Sequence, residues 1–161
     1  MSESSRVFFF TADSSLSDSS STQLLSRLTT FLDSWSAHGS ALTADALLIS
    51  NRVLLISVDE SSSSASGCSL DSLNNFIKKD GESIGVDWFN RSWVLHRPSN
   101  SDLSNFDGEW VTEKLHDFWA KRKANLITND TQVLDTTVST LQDARTRLVT
   151  PFSESWHVSM W

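Results

Sequence analysis

Tyrosine is absent from this chain, cysteine occurs once, proline twice and glycine five times in 161 residues. The lone cysteine, Cys68, excludes an internal disulfide and the stapled architecture of small secreted domains, so a reducing cytoplasm is the expected compartment. No stretch approaches the roughly 20 apolar residues that a membrane helix needs. Residues 7–10 form too short an apolar run for a signal peptide, so neither export nor membrane insertion is expected. Cations are scarce as well: 13 Lys and Arg stand against 20 Asp and Glu, a net charge of −7. A surface that follows phosphates needs the opposite balance, which argues against nucleic acid and against an anionic membrane as partners. The five glycines, at positions 39, 67, 81, 85 and 108, make no G-x-x-x-x-G-K-[ST] pattern, so the chain is not a P-loop ATPase.

Bulk for a core is present. Seven Trp and nine Phe lie in a chain that is 39% hydrophobic and 20% charged, a globular composition. Residues 6–11 are rich in strand formers and read as a first strand. Ser20 and Gln23 have capping-box spacing. Leu24, Leu25, Leu28, Phe31, Leu32 and Trp35 then recur at helical intervals, with Gly39 placed to end the helix. Residues 42–49 and 53–58 read as two strands joined by a tight turn at Asn51, a residue that tolerates positive φ. A second helix follows Gly67 and Cys68, with Leu70, Leu73, Phe76 and Ile77 inward, Ser69 as cap, Asp71 in its first turn and Gly81 as its stop.

Residues 86–95 read as a fourth strand that Pro98 prevents from extending, and residues 99–108 as a polar loop. Residues 110–124 read as a third helix with Val111, Leu115, Phe118 and Trp119 inward, 131–138 as a fifth strand, and 140–148 as a short helix stopped before Pro151. The tail, 155–161, is apolar enough to dock. The order β-α-β-β-α-β over residues 6–98 predicts an α+β protein with a ferredoxin-like antiparallel sheet and both helices on one face. Residues 99–161 would be a C-terminal α/β extension packed on that core, the whole forming a single domain, 1–161.

Four motifs occur together: Trp35-Ser-Ala-His-Gly39, Val58-Asp-Glu60, Ala65-Ser-Gly-Cys-Ser69 and Ser155-Trp-His157. The set resembles a family of short, uncharacterised bacterial proteins commonly labelled "ABC transporter ATPase". The likeness runs from the first strand to the tail, and its most specific stretch is 65–71. It implies a bacterial source.

Cys68 follows a glycine at the expected start of a helix, where the dipole and free N–H groups favour a thiolate, so it is the candidate nucleophile or redox centre. The competing reading is a small buried hydrophobe. His157, beside Trp156 in the tail, is the candidate base for Cys68, with Asp59 or Asp71 to orient the ring. Alternatively it serves only to bind a backbone carbonyl. His38, at the end of the first helix, is a candidate assistant or a simple C-cap cation. Gly67, Ser69, Asp71 and Trp156 are the candidate ligand-binding residues around the same turn. Asp59, Glu60, His38 and His157 are acceptable metal ligands, but no close His or Cys pair occurs, so no metal and no cofactor are expected. With no complete catalytic motif, the first expectation is a non-catalytic binding or adaptor module for an unknown protein or small molecule. The second is a cysteine-dependent enzyme or thiol redox protein built on Cys68. A homodimer is compatible with either.

Overall fold

Strand β1, Arg6–Thr11, alternates between a face carrying Phe8 and Phe10 and a face carrying Val7 and Phe9. Val7 and Phe10 are buried and Phe8 and Phe9 half-buried, so each face of the strand keeps one buried side chain. The computed structural model describes residues 1–102, 106 and 108–160. They divide into two compact units, Met1–Asn90 with Ser139–Gln142, and Arg91–Val138 with Asp143–Trp161.

In the first unit, α1 spans Asp18–Asp33 and buries Leu24, Leu28 and Leu32. Its cap is Ser17, whose hydroxyl accepts the Ser20 N–H at 3.1 Å, so the helix starts before the Ser20 expected from the spacing. Any of several consecutive serines could cap there, and the one that suits the chain entry wins. The helix also stops earlier than Gly39, at a C-cap on Ser34. Gly39 instead shares with His38 the two-residue turn between β2, Ser36–Ala37, and β3, Ser40–Ala41. Both turn residues have positive φ, 51° and 79°, which a tight antiparallel hairpin requires.

Strands β4, Thr43–Ile49, and β5, Val53–Asp59, form the expected hairpin, with Ser50 and Asn51 both at φ 53°. The sheet order is β1-β5-β4, antiparallel throughout. Helix α2, Gly67–Ile84, joins α1 on one face of it, where Leu54, Ile56 and Val58 of β5 meet Leu24, Leu28, Leu32, Leu73 and Ile77. Arg27 of α1 binds Asp80 of α2 through its Nε at 2.6 Å.

The sheet has three strands with two helices, where the ferredoxin-like expectation called for four strands. The outer edge of β1 is met instead by a returning segment: Arg6 bridges Thr140, and the Val7 N–H donates to the Ser139 carbonyl. The strand after α2 is shorter and later than the expected 86–95. It is β6, Trp93–Arg97, and it belongs to the second unit.

There, β7, Val111–Lys114, precedes α3, Leu115–Lys123, so the helix expected over 110–124 is a strand for its first part. Pairing of Val111 to Lys114 with β6 overrides a helical spacing that continued from Val111 into α3. With β8, Gln132–Leu134, and β9, Val149–Pro151, the sheet order is β7-β6-β8-β9. Helix α4, Leu141–Arg147, falls where the sequence placed it. Val94, Phe118, Ile127, Val133 and Phe152 make the core of this unit. Of the polar loop expected over 99–108, residues 103–105 and 107 lie outside the described residues, as does Trp161 of the tail. Among the described residues no helix is long and apolar enough to cross a membrane.

Candidate functional site

Helix α2 carries two glycines near its end, and they do different things. Gly85 is the C-cap, in the left-handed conformation at φ 72° that an achiral residue adopts freely. Gly81, expected to end the helix, lies inside it. A methyl group at Gly81 would stand 2.4 Å from the Val86 carbonyl oxygen and 2.8 Å from Cδ1 of Trp88. The missing side chain lets residues 85–89 fold back against the helix, and the Val86 N–H donates to the Gly81 carbonyl at 2.8 Å.

The folded-back loop is pinned on its other side by the segment that follows β1. Asp13 N–H donates to the Asp87 carbonyl, Asp87 N–H donates to Oδ1 of Asp13 (3.0 Å each), and Phe89 N–H donates to Oδ1 of Asp87 at 2.8 Å. Phe89 meets Phe10 edge-to-face with ring centroids 5.7 Å apart. Trp88 is 2% exposed, Phe89 40%.

Between this loop and α2 lies a cavity of about 660 Å³. From α2 it takes Asn74, Asn75, Lys78 and Glu82, spaced as one stripe of the helix; from the loop, Gly85 to Phe89; and from the first connector, Asp13. Volumes of this size suit small organic ligands. The indole Nε1–H of Trp88 is buried without an acceptor, but its pyrrole edge lies against Gly81 of α2, where a methyl group would stand 3.3 Å from Nε1. Sequence reading placed Trp88 and Phe89 on a strand and so missed this site. The polar stripe Asn74, Asn75, Lys78, Glu82 opposite the apolar face of α2 was the one visible signal, but a solvated helix face gives the same pattern.

The residues expected to act are distributed as follows. Cys68 is exposed, in the first turn of α2, so the buried-hydrophobe reading of this thiol is corrected. The cap is Ser66, not Ser69. Its hydroxyl accepts the Ser69 N–H at 3.1 Å, while the Ser69 hydroxyl accepts the Ser66 N–H at 2.7 Å, a reciprocal box built from two serines. Ser69 is buried, and its carbonyl accepts the Nε1–H of Trp35 at 2.8 Å. Gly67 and Asp71 are exposed beside Cys68. His38 is exposed in the β2–β3 turn. Asp59 ends β5, and hydrogen bonds from Ser61 hold its carboxyl below the usual carboxylate range.

His157 and Trp156 belong to the second unit. His157 is 2% exposed in a 3-10 turn, Trp156–Met160, stacked on the Trp156 ring at 4.2 Å and edge-on to Phe118 at 5.7 Å. Its Nδ1 lies 3.1 Å from Oγ of Ser155. That hydroxyl donates to the Phe152 carbonyl at 3.0 Å, so Nδ1 carries the hydrogen and Oγ accepts it. The imidazole thus has the structural occupation that the sequence did not reveal. Burial pushes its pKa down to about 4, opposed by Asp135. In the same unit Glu113 bridges Nε2 of His96 at 2.6 Å and Nζ of Lys121 at 2.8 Å. Burial lowers the His96 pKa too, against the pull of Glu113, so the ring donates as a neutral imidazole. Among the described residues no group of three His, Cys, Asp or Glu side chains could hold a metal ion.

Comparison of the chain with protein-family models, with curated proteins and with solved structures gives no match.

Proposed function

We propose that the protein is a non-catalytic binding module and that its site is the cavity between α2 and the 85–89 loop. The observation that carries this reading is the cavity itself, about 660 Å³, walled by Val86, Trp88 and Phe89 on the loop side and by Asn74, Asn75, Lys78 and Glu82 on the helix side. Clefts of this size with apolar walls and a few polar groups are the usual form of small-molecule sites. The ATPase activity attached to the family that the motifs resemble finds no phosphate loop here. A bacterial cytoplasmic setting fits a chain with a single cysteine, and the first unit reads as a ferredoxin-like arrangement short of one strand.

The test is a screen of aromatic fragments of all three charge classes, read by the Trp88 Nε1–H cross-peak in nitrogen-correlated NMR, with Trp88→Phe to assign it. A saturable shift of that peak is expected, and Asn75→Trp, which places an indole in the mouth from an exposed helix position, is expected to abolish it. A peak that no fragment moves would overturn the reading.

A second reading, a thiol enzyme or redox protein, is favoured by the exposure of Cys68 on the first turn of a capped helix. It predicts that iodoacetamide alkylates Cys68 at pH 7 about tenfold or more faster than it alkylates free glutathione. Equal rates would end it.

A further inference from the structure

The charge around the cavity is predominantly negative. Asp13, Glu82 and Asp87 line it against Lys78 alone, three carboxylates to one ammonium. Arg52 offsets Asp13 from behind, where its guanidinium binds the Ala12 and Asp13 carbonyls at 3.1 and 2.9 Å, and the lining remains negative. The surroundings reinforce it. Residues 1–90 carry eleven acidic and five basic side chains, a net −6 of the −7 on the whole chain. Such a field concentrates cations at a cleft with apolar walls. The apolar part of the wall is aromatic: Trp88 supplies a buried ring and Phe89 a half-exposed one. Aromatic faces attract cations through their quadrupole, most strongly where water is partly excluded.

Resting on the reading of this cavity as a binding site, we infer that its ligand is a small organic cation, an ammonium or guanidinium on an aromatic or aliphatic body. The body packs on Trp88, Val86 and Phe89, and the charge faces Glu82 and Asp87. Anions of the same shape are excluded by the carboxylates, and Lys78, at the exposed rim of α2, is outnumbered by three of them and does not reverse that preference.

The experiment uses the full chain and three probes that share a phenylethyl body: 2-phenylethylammonium, 2-phenylethanol and 3-phenylpropionate. Titrations are read at the Trp88 Nε1–H cross-peak. The ammonium is expected to bind about tenfold more tightly than the alcohol, and the carboxylate not at all. The ratio should fall toward one in the Glu82→Gln, Asp87→Asn double variant, whose side-chain amides keep the size of the originals and, at position 87, an oxygen for the Phe89 N–H. Alcohol and ammonium binding equally would overturn the cation inference and leave the cavity standing as a site. Carboxylate binding best would overturn it in the same way. Ammonium-induced shifts spread over the acidic surface with Trp88 unmoved would overturn it as mere counter-ion attraction. Silence at Trp88 from all three probes, together with silence in the fragment screen, would remove the site itself.

Discussion

Replacing Gly81 by alanine is expected to destabilise the protein by about 2 kcal/mol, although alanine is the better helix former by about 1 kcal/mol. The added methyl would meet the Val86 carbonyl oxygen at 2.4 Å, and that oxygen is backbone, in a loop tied to the helix by the Val86 to Gly81 hydrogen bond. Relief requires moving the loop, and Trp88, 2.8 Å from the same methyl, moves with it. Thermal unfolding should show a midpoint lowered by roughly 4–8 °C. The same change at Gly67 meets nothing within 4 Å and should be neutral or mildly stabilising. Equal effects at the two positions would show that the 85–89 loop does not pack on α2 as described. Because Gly81 supports the cavity wall without lining the cavity, partial loss of fragment binding should accompany the loss of stability.

The second large effect is a dependence on pH. His157 has its pKa lowered to about 4 by burial, against an unfolded value near 6.5. Between those values the unfolded chain holds a proton that the folded chain refuses, so stability is complete above about pH 6.5 and is lost as the pH falls toward 4. At pH 4.5 the loss from this one group is roughly 2–3 kcal/mol. Urea unfolding of the wild type and of His157→Gln at pH 7 and pH 4.5 isolates it. The variant starts less stable, having given up the ring contacts with Phe118 and Trp156, but should lose roughly 2–3 kcal/mol less on acidification. His96, also depressed by burial, supplies a slope of the same sign in both proteins. Parallel losses in wild type and variant would mean that His157 is accessible to protons in the folded state.

What could be read in advance was what short-range chemistry decides. The stripe Leu24, Leu28, Leu32 produced a helix, and Asn51 produced a hairpin, because spacing and positive φ act within a few residues. The α+β class followed from the order of such elements. Boundaries were lost where neighbours compete: Ser17 against Ser20, Ser66 against Ser69, Gly85 against Gly81. In each pair both residues suit the role, and the packing of the flanking chain chooses. Sheet membership was lost for a different reason. Trp93–Arg97 pairs with Val111–Lys114 and with β8, and no local signal distinguishes that choice from pairing with β1. The cavity was least legible of all, since it depends on Asp13 bonding to Asp87 across 74 positions of sequence. Of the residues singled out beforehand, Gly67, Cys68, Ser69 and Asp71 do share one turn, while none of them lines the cavity.

The closure of the β1 edge by Ser139 and Thr140 has a bearing on synthesis. A nascent chain that has emerged as far as α2 already holds every strand of the three-stranded sheet, yet one flank of that sheet has no cover until some fifty-five further residues have left the ribosome. During that interval the bare flank can recruit another extended chain, so folding before residue 139 arrives carries an association hazard at β1 that its later cover removes.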